Sequence, residues 1–459
     1  MSNNSVSIHG DASAYAFPVQ RGRATGAAVK TYEIMSVSQT DLPPELEGSH
    51  LEAPQADDTG NTHVLPITGR VSSAGLDLAT VEVSYNDRVV RRSPIKDGFF
   101  NTLIGLVGLK IESELSLQVA LADDRRLPLA TIRLRREPIR TSFEPTIQPL
   151  ILTSLGRTGT TLLMKAFTSR PEILVFRRFP YEYAVAKYWI HMLRVLSGPA
   201  DLLDSAHPDS FIGNQHWVGH NPYHDESAYN QRPLADWFGR EYVEQLASFC
   251  QESIEGCYRA LAQSQEQPEP AYFAEKVWPS FIPVLTWELY PKAKEVILVR
   301  DFRDAACSML AFDAIRDYSD FGRADGKTEE EYIQNEVQSM ALDMTRSWTS
   351  RRDRAHLVRY EDLVLQPVET MTQLLEYLEL DRSVEVVDGM LNQASEEVAE
   401  LPGAVTDPYL VEIHRTIPDP KETIGRWRRE SDDSRADLFW NVLGDCLEEF
   451  GYTRSGDLE

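Results

Sequence analysis

The last two-thirds of the chain alternate short apolar segments with long helical ones. The apolar segments include LILTS, KEVILV and AHLVRY, and the helical stretches include EEEYIQNEVQSMALDMTRSWTSRR and PVETMTQLLEYLEL. Strands that alternate with helices favour a parallel sheet with helices on both faces. The pattern therefore predicts an α/β domain over residues 147–459. In such sheets, ligands bind beyond the carboxyl ends of the strands.

The first third of the chain has a different pattern and divides into two parts. Residues 1–62 are rich in Gly, Ser, Asn, Asp and Pro without a helical or strand period, which predicts a flexible N-terminal segment. Residues 63–140 contain alternating runs such as TVEVSY and TIRLRR, with YND and ADD as turns. They predict a small antiparallel β-sandwich domain of unknown role. Pro138 and Pro145 bracket a linker to the α/β domain.

Charge and composition limit the partners that such a chain can have. The net charge is −25, and residues 148–459 hold 31 basic against 53 acidic residues. An acidic domain of this kind disfavours nucleic acid and anionic membranes as partners. The start MSNNSVSIHG does not resemble a signal peptide, and four cysteines in 459 residues fit a reducing compartment. We therefore expect a cytoplasmic protein.

The stretch SLGRTGTTLLMKAF at residues 154–167 follows an apolar strand and opens a helix, as phosphate-binding loops do. It is not the ATP- or GTP-binding P-loop, because Thr160 stands at the lysine position and Gly156 precedes Gly159 by only three residues. The alternative is a plain strand–turn–helix corner with a capping threonine. If the turn binds an anion, the residues that we expect to contact it are Arg157, Thr158, Gly159, Thr160 and Thr161.

A second strand-to-helix turn, VILVRDFRDAACSML, follows about 135 residues later. Arg300 at the strand end can bind a phosphate with its planar fork, and Ser308 can add a hydroxyl donor. If the helix begins near Arg303, Asp304 and Ser308 lie on one face of it. Two anion sites at strand ends of one domain predict a ligand with two separate phosphate groups.

These motifs together resemble the sulfotransferases that use 3′-phosphoadenosine-5′-phosphosulfate (PAPS). The resemblance rests on GRTGTT, on the R-x-x-x-D-x-x-x-S spacing, on RYEDLVLQP and IGRWRRE, and on EEFGY near the C-terminus. It covers about residues 147–455. Because its first loop carries an arginine, the chain is more similar to the tyrosylprotein and bacterial sulfotransferases than to the cytosolic phenol enzymes. The resemblance implies PAPS as co-substrate, 3′-phosphoadenosine-5′-phosphate (PAP) as product, and no required metal.

The resemblance also implies a role for individual residues in the reaction. Arg157 would contact the 5′-phosphate and the transferring sulfate, and Lys276 would approach the leaving oxygen. Glu182 would be the base that takes the proton of the acceptor hydroxyl, with Glu172 as the runner-up. The remaining nucleotide contacts would be Arg300 and Ser308 for the 3′-phosphate, Tyr360 for adenine, and Lys421, Arg426 and Arg428 for a C-terminal loop over the 3′-phosphate.

Several alternatives remain open from the sequence. His216, His220 and His224 recur at intervals of four, but Gly219 and nearby residues argue against the helix that a zinc site would need. One of these histidines is an alternative base. A P-loop kinase or NTPase, an inactive PAP-binding protein and an interaction module are the alternative functions. The acceptor is a small molecule, glycan or peptide with a hydroxyl group, and the acidic surface disfavours highly anionic ones.

Overall fold

The computed structural model describes residues 30–39, 42–72, 78–199, 237–280, 282–316, 327–396, 408–409, 411 and 419–456. The chain divides into two compact units. The first unit comprises Met1–Arg140 with Leu193–Leu246, and the second comprises Thr141–Met192 with Ala247–Glu459.

The first unit contains two antiparallel sheets in its described part. The strands are β1 Tyr32–Ser38, β2 His50–Ala53, β3 Thr59–Gly60, β4 Val64–Arg70, β5 Leu78–Tyr85, β6 Arg88–Pro94, β7 Phe99–Gly105, β8 Glu112–Leu121 and β9 Arg126–Arg136. One sheet has the order β3-β1-β9-β8-β5-β6 and the other β2-β4-β7. The predicted YND turn joins β5 to β6, where Asn86 and Asp87 both have positive φ, as in a tight two-residue hairpin.

The N-terminal segment differs from its prediction. The sequence predicts a flexible stretch over residues 1–62, but the structure places β1, β2 and β3 within it. Strand β1 pairs with β9, so that Tyr32 lies opposite Arg136. The pairing partner is about a hundred residues away, and no local sequence period reports such a contact. The division of the chain into domains remains a prediction.

The second unit contains a parallel sheet of five strands. They are β10 Gln148–Ser154, β11 Ile173–Leu174, β12 Tyr272–Val277, β13 Lys294–Val299 and β14 His356–Arg359, in the order β11-β12-β10-β13-β14. The register sets Leu152 of β10 opposite both Lys276 of β12 and Val296 of β13. The carboxyl ends of these strands therefore lie side by side, and the loops that follow them meet at one edge.

Helices follow the strands in chain order. They are α1 Thr160–Phe167, α2 Val185–Ser197, α3 Tyr242–Ser264, α4 Ile282–Leu289, α5 Phe302–Arg316, α6 Glu329–Tyr332, α7 Gln338–Arg351, α8 Tyr360–Leu365, α9 Pro367–Leu378, α10 Val384–Ser395, α11 Arg426–Glu430 and α12 Asp433–Glu449. Short 3₁₀ turns cover Pro44–Leu46 and Pro420–Thr423, and π-helical turns cover Trp237–Glu241 and Ile333–Val337.

The two faces of the parallel sheet pack against different helices, because alternate residues of a strand point to opposite faces. Leu152 and Leu298 belong to a core shared with α1, α9 and α10. Ile297 and Val299 belong to a second core shared with α5, α7 and α12. The predicted α/β fold, with helices on both faces of a parallel sheet, is confirmed. None of the helices in the described part of the chain combines the length and apolar composition needed to cross a membrane.

Candidate active site

The first candidate loop, Leu155–Gly159, leaves the carboxyl end of β10 and opens α1. Thr158 is buried, and its hydroxyl contacts Ser154 Oγ and donates to the carbonyl oxygen of Leu155 at 2.8 Å. The hydroxyl therefore closes the turn, which leaves backbone groups as the part of Thr158 that can face a ligand. Gly159 has a φ of 93°, and a Cβ there would lie 2.4 Å from Cδ2 of Tyr360. Only glycine fits this position.

Arg157 has a φ of 65°, a left-handed conformation that is uncommon for a residue other than glycine and is found at functional sites. Its Nε donates to Ser308 Oγ at 3.3 Å, and its guanidinium carbon lies 4.7 Å from the centre of the Phe312 ring. Burial, together with the positive charges of Arg300 and Arg426, lowers the pKa of Arg157 to about 10. The side chain is still protonated at neutral pH. A bound anion would relieve the repulsion among the guanidinium groups of Arg157, Arg300 and Arg426. This arginine cluster therefore suits an anionic ligand.

Arg300 joins the two predicted anion sites. Its Nη1 donates to the carbonyl oxygen of Arg157 at 3.0 Å, and its Nη2 donates to the carbonyl oxygen of Thr423 at 2.6 Å. Its Nε is buried and has no hydrogen-bond partner among the described residues. The two arginines, 143 residues apart in the chain, therefore share one cluster. One nucleotide with two phosphate groups can occupy both anion sites only if the sites lie close together, as they do here.

Tyr360 lies inside the same cluster. Its ring packs on Gly159 and lies 4.8 Å from the guanidinium carbon of Arg300, and its hydroxyl is 3.0 Å from Thr423 Oγ1. The ring is buried, and burial raises the pKa of its hydroxyl. These contacts pack the ring within the protein, and the adenine contact remains a prediction.

Asp304 holds the C-terminal segment to the second motif, a function that the sequence did not indicate. Its Oδ2 accepts from the backbone N–H of Gly425 at 2.8 Å, and its Oδ1 accepts from that of Trp427 at 2.9 Å. Burial raises the pKa of Asp304 to about 6, together with the charge of Asp301, whereas Arg300 and the two N–H donors oppose the shift. A carboxylate at the start of α11 is favoured by the helix dipole. The segment that carries the predicted C-terminal arginines is thus fixed beside Ser308, which is buried.

The three C-terminal cations have different environments. Arg426 is buried, and its Nε donates to Glu430 at 2.5 Å. Lys421 and Arg428 are exposed, and the guanidinium carbon of Arg428 lies 5.7 Å from the centre of the Trp427 ring. Arg426 belongs to the cluster through its charge on Arg157. Phosphate contacts by all three remain predictions.

Lys276 occupies the end of β12, beside the first turn of α1. Its Nζ donates to Thr161 Oγ1 at 3.3 Å and to the carbonyl oxygen of Pro180 at 2.5 Å. Burial lowers the pKa of Lys276 to about 8, and the negative charge of Glu182 opposes this shift. A partly desolvated ammonium group next to the phosphate loop can stabilise negative charge that develops there.

Glu182 is exposed and lies three residues before α2. Two neighbouring residues of β12 fix the segment around it. Lys276 binds the carbonyl oxygen of Pro180, and Glu275 accepts from the backbone N–H groups of Ala186 at 2.9 Å and Lys187 at 2.8 Å. Burial raises the pKa of Glu275 to about 7. The importance of Glu275 was missed, and the only sequence signal was its position next to Lys276.

The runner-up base Glu172 lies at the wrong edge of the sheet. Its backbone carbonyl accepts from the N–H of Tyr272, the first residue of β12, and its side chain accepts from Arg170 at 2.8 Å. Lys276 is four residues further along β12, about 13 Å away in an extended strand. A base there cannot reach the loops at the carboxyl ends, so the structure contradicts this alternative. The sequence alone did not reveal that β11 is only two residues long and begins directly after Glu172.

His216, His220 and His224 lie outside the described residues. Within the described part of the chain, the structure contains no group of three or more His, Cys, Asp and Glu side chains that could hold a metal.

The chain is similar to known sulfotransferases. A family model described as the sulfotransferase family matches residues 149–384, slightly more than half of the chain. The chain therefore belongs to the sulfotransferase family, and the prediction of a sulfotransferase enzyme is confirmed. No curated protein matches the chain.

Solved structures that are similar to the chain also include sulfotransferases. The sulfotransferase domain from the Synechococcus PCC 7002 olefin synthase is 20% identical, with 68% of this chain and 96% of that chain covered and a TM-score of 0.36. The mouse sulfotransferase SULT7A1, complexed with PAP, is 13% identical, with 67% and 90% covered and a TM-score of 0.36. A sulfotransferase from Alicyclobacillus acidocaldarius is 14% identical, with 67% and 95% covered and a TM-score of 0.30.

Proposed function

We propose that the chain transfers the sulfuryl group of PAPS to an acceptor hydroxyl by in-line displacement at sulfur. The observation that carries this proposal is the convergence of Arg157 and Arg300 on one buried cationic cluster at the carboxyl edge of the sheet. The match to the sulfotransferase family supports the same reaction class. All candidate residues belong to the predicted domain of residues 147–459, and we assign the activity to it.

The two ends of the cluster suit the two phosphate groups of the nucleotide. Arg157 and the N–H groups at the start of α1 would bind the 5′-phosphosulfate, with Thr160 and Thr161 adding hydroxyl donors. Arg300 and Ser308 would bind the 3′-phosphate, and the C-terminal segment would cover it. The hydrogen bond between Arg157 and Ser308 links the two ends.

Three side chains would act on the reacting atoms. Glu182 accepts the proton of the acceptor hydroxyl while that oxygen forms a bond to sulfur. The bond between sulfur and the bridging oxygen breaks, and its electron pair passes to the 5′-phosphate. Lys276 and Arg157 stabilise the negative charge that develops on this leaving group, and fixed cations at a partly buried site need little reorganisation to do so.

Binding of PAP without a metal tests the proposal against a kinase or NTPase. We expect PAP to bind in EDTA at least about tenfold more tightly than ATP or GTP. The arginine cluster offers two separate cationic ends for two phosphate groups, and the described residues include no group of His, Cys, Asp and Glu side chains that could hold a metal. Isothermal titration with each nucleotide, with and without Mg²⁺, measures this difference. Preferential binding of Mg-ATP would contradict the proposal. Tight PAP binding without turnover on any acceptor would instead favour an inactive PAP-binding protein.

The rate of transfer is expected to fall as the pH rises through about 8. Lys276 loses its proton there, because its pKa is lowered to about 8, and the neutral amine no longer stabilises the leaving phosphate. The measurement is the pH profile of kcat for the native enzyme and for Lys276→Arg, whose guanidinium stays charged throughout the range. The variant should lack the alkaline limb. A limb that is unchanged in the variant would assign it to another group.

A further inference from the structure

A cavity of about 360 Å³ in the second unit reaches the phosphate loop and the loop after β12. Leu155, the first residue of the phosphate loop, and Trp278, two residues after Lys276, are both in its wall. The cavity therefore adjoins the phosphate loop, which carries Arg157, and the end of β12, which carries Lys276. Both residues are candidate groups for sulfuryl transfer. Its volume suits a small molecule, since pockets for such ligands measure about 300–1,000 Å³.

The apolar part of the wall suits a flat hydrophobic body. Leu155, Pro279 and Met340 line the cavity, and Trp278 lines it with 44% of its surface exposed. An indole ring that remains this exposed at the rim of a cavity offers a face on which a ring or a cation can stack.

The polar part of the wall carries negative charge only. In the described part of the chain, Glu336 and Asp343 are the ionisable side chains that line the cavity, and no Lys, Arg or His is among its lining residues. A π-helical turn, Ile333–Val337, carries Glu336, and such turns are frequent at functional sites.

Both carboxylates retain capacity for a cationic donor. Glu336 Oε1 accepts from Lys327, whereas its Oε2 is buried and has no hydrogen-bond partner in the described part of the chain. Asp343 accepts from Arg346 through Oδ1 at 3.3 Å, a long and partly exposed contact. The Glu336 and Asp343 side chains keep 20% and 28% of their surface exposed, so an ammonium group in the cavity can approach their accessible parts and donate to them.

We infer that this cavity binds the acceptor, and that the acceptor is a small aromatic or apolar alcohol or phenol that carries an ammonium group. This inference rests on the proposed sulfuryl transfer. An acceptor with a carboxylate or sulfate in the same position would meet Glu336 and Asp343 with like charge, and would be rejected.

Three phenols whose tails end in a cationic, a neutral or an anionic group test this specificity. They are 4-(2-aminoethyl)phenol, 4-ethylphenol and 3-(4-hydroxyphenyl)propanoate, each titrated calorimetrically into the enzyme saturated with PAP. We expect the amine to bind about tenfold more tightly than the neutral phenol, which corresponds to one charge-assisted hydrogen bond, and the carboxylate to bind most weakly.

The double variant Glu336→Gln/Asp343→Asn should bind the three phenols equally, with its affinity for PAP unchanged. Glu330→Gln is the matched control, because Glu330 is exposed on the preceding turn and does not line the cavity. Equal binding of the three phenols by the native enzyme, a preference for the carboxylate, or no binding of any phenol would overturn the inference while PAP still binds. If PAP itself does not bind, the result contradicts the proposed function and therefore also the inference that rests on it.

Discussion

Arg157→Ala is expected to reduce sulfuryl transfer by about 10²–10³-fold, the loss typical when one preorganised donor is removed from a developing anion. Arg157 is the only described residue that links the phosphate loop to Ser308 by a side-chain hydrogen bond, so both ends of the nucleotide site lose a contact. The affinity for PAP should also fall. Turnover with labelled PAPS and calorimetric titration with PAP measure the two effects separately.

Arg157→Lys is the matched control for this variant. Lysine keeps the positive charge but not the planar fork, so we expect it to restore part of the PAP affinity and little of the turnover. Thermal unfolding should show both variants folded, because Arg157 belongs to neither of the two hydrophobic cores of the sheet. Unchanged turnover in Arg157→Ala would refute the assigned role.

Glu182→Gln is expected to lower kcat by about 10²–10⁴-fold while the affinity for PAP is unchanged. The amide cannot take the proton of the acceptor hydroxyl. PAP affinity should not change, because the exposed Glu182 side chain acts on Lys276 rather than on the arginine cluster. Single-turnover transfer to a small phenol and PAP titration distinguish loss of a base from loss of binding.

Glu172→Gln is the matched control, because it makes the same Glu-to-Gln change outside the candidate site. Glu172 accepts a hydrogen bond from Arg170 at the amino edge of the sheet, far from the candidate site, so this variant should turn over at the native rate. Should Glu182→Gln keep its activity, the base would have to be sought among other groups, with His216, His220 and His224 as the alternatives that the sequence offers.

Much of the site could be predicted because its parts are local. The loop at Arg157 and the turn at Arg300 each follow an apolar strand and open a helix, and a parallel sheet brings the carboxyl ends of such strands to one edge. The residue types and their spacing therefore predicted two anion sites at that edge. Lys276 was identified through the resemblance to the sulfotransferases, and the structure places it near the end of a strand.

The parts that were missed depend on contacts between distant segments. Asp304 binds the N–H groups of Gly425 and Trp427, which lie more than 120 residues further along the chain. Glu275 binds the start of α2, which lies 89 residues earlier in the chain. Such carboxylates resemble any other acidic residue in the sequence, because their partners are backbone groups that carry no sequence signal.

The sequence by itself determined the alternation of strands and helices, the positions of the two phosphate turns and the family to which they belong. These follow from short-range patterns of apolar and turn-forming residues. Only the tertiary structure decided that Thr158 closes its own turn, that Glu172 faces the wrong edge, and that Arg300 reaches both Arg157 and Thr423. The physical reason is that strand order and register, which set these distances, arise from the packing of the whole sheet.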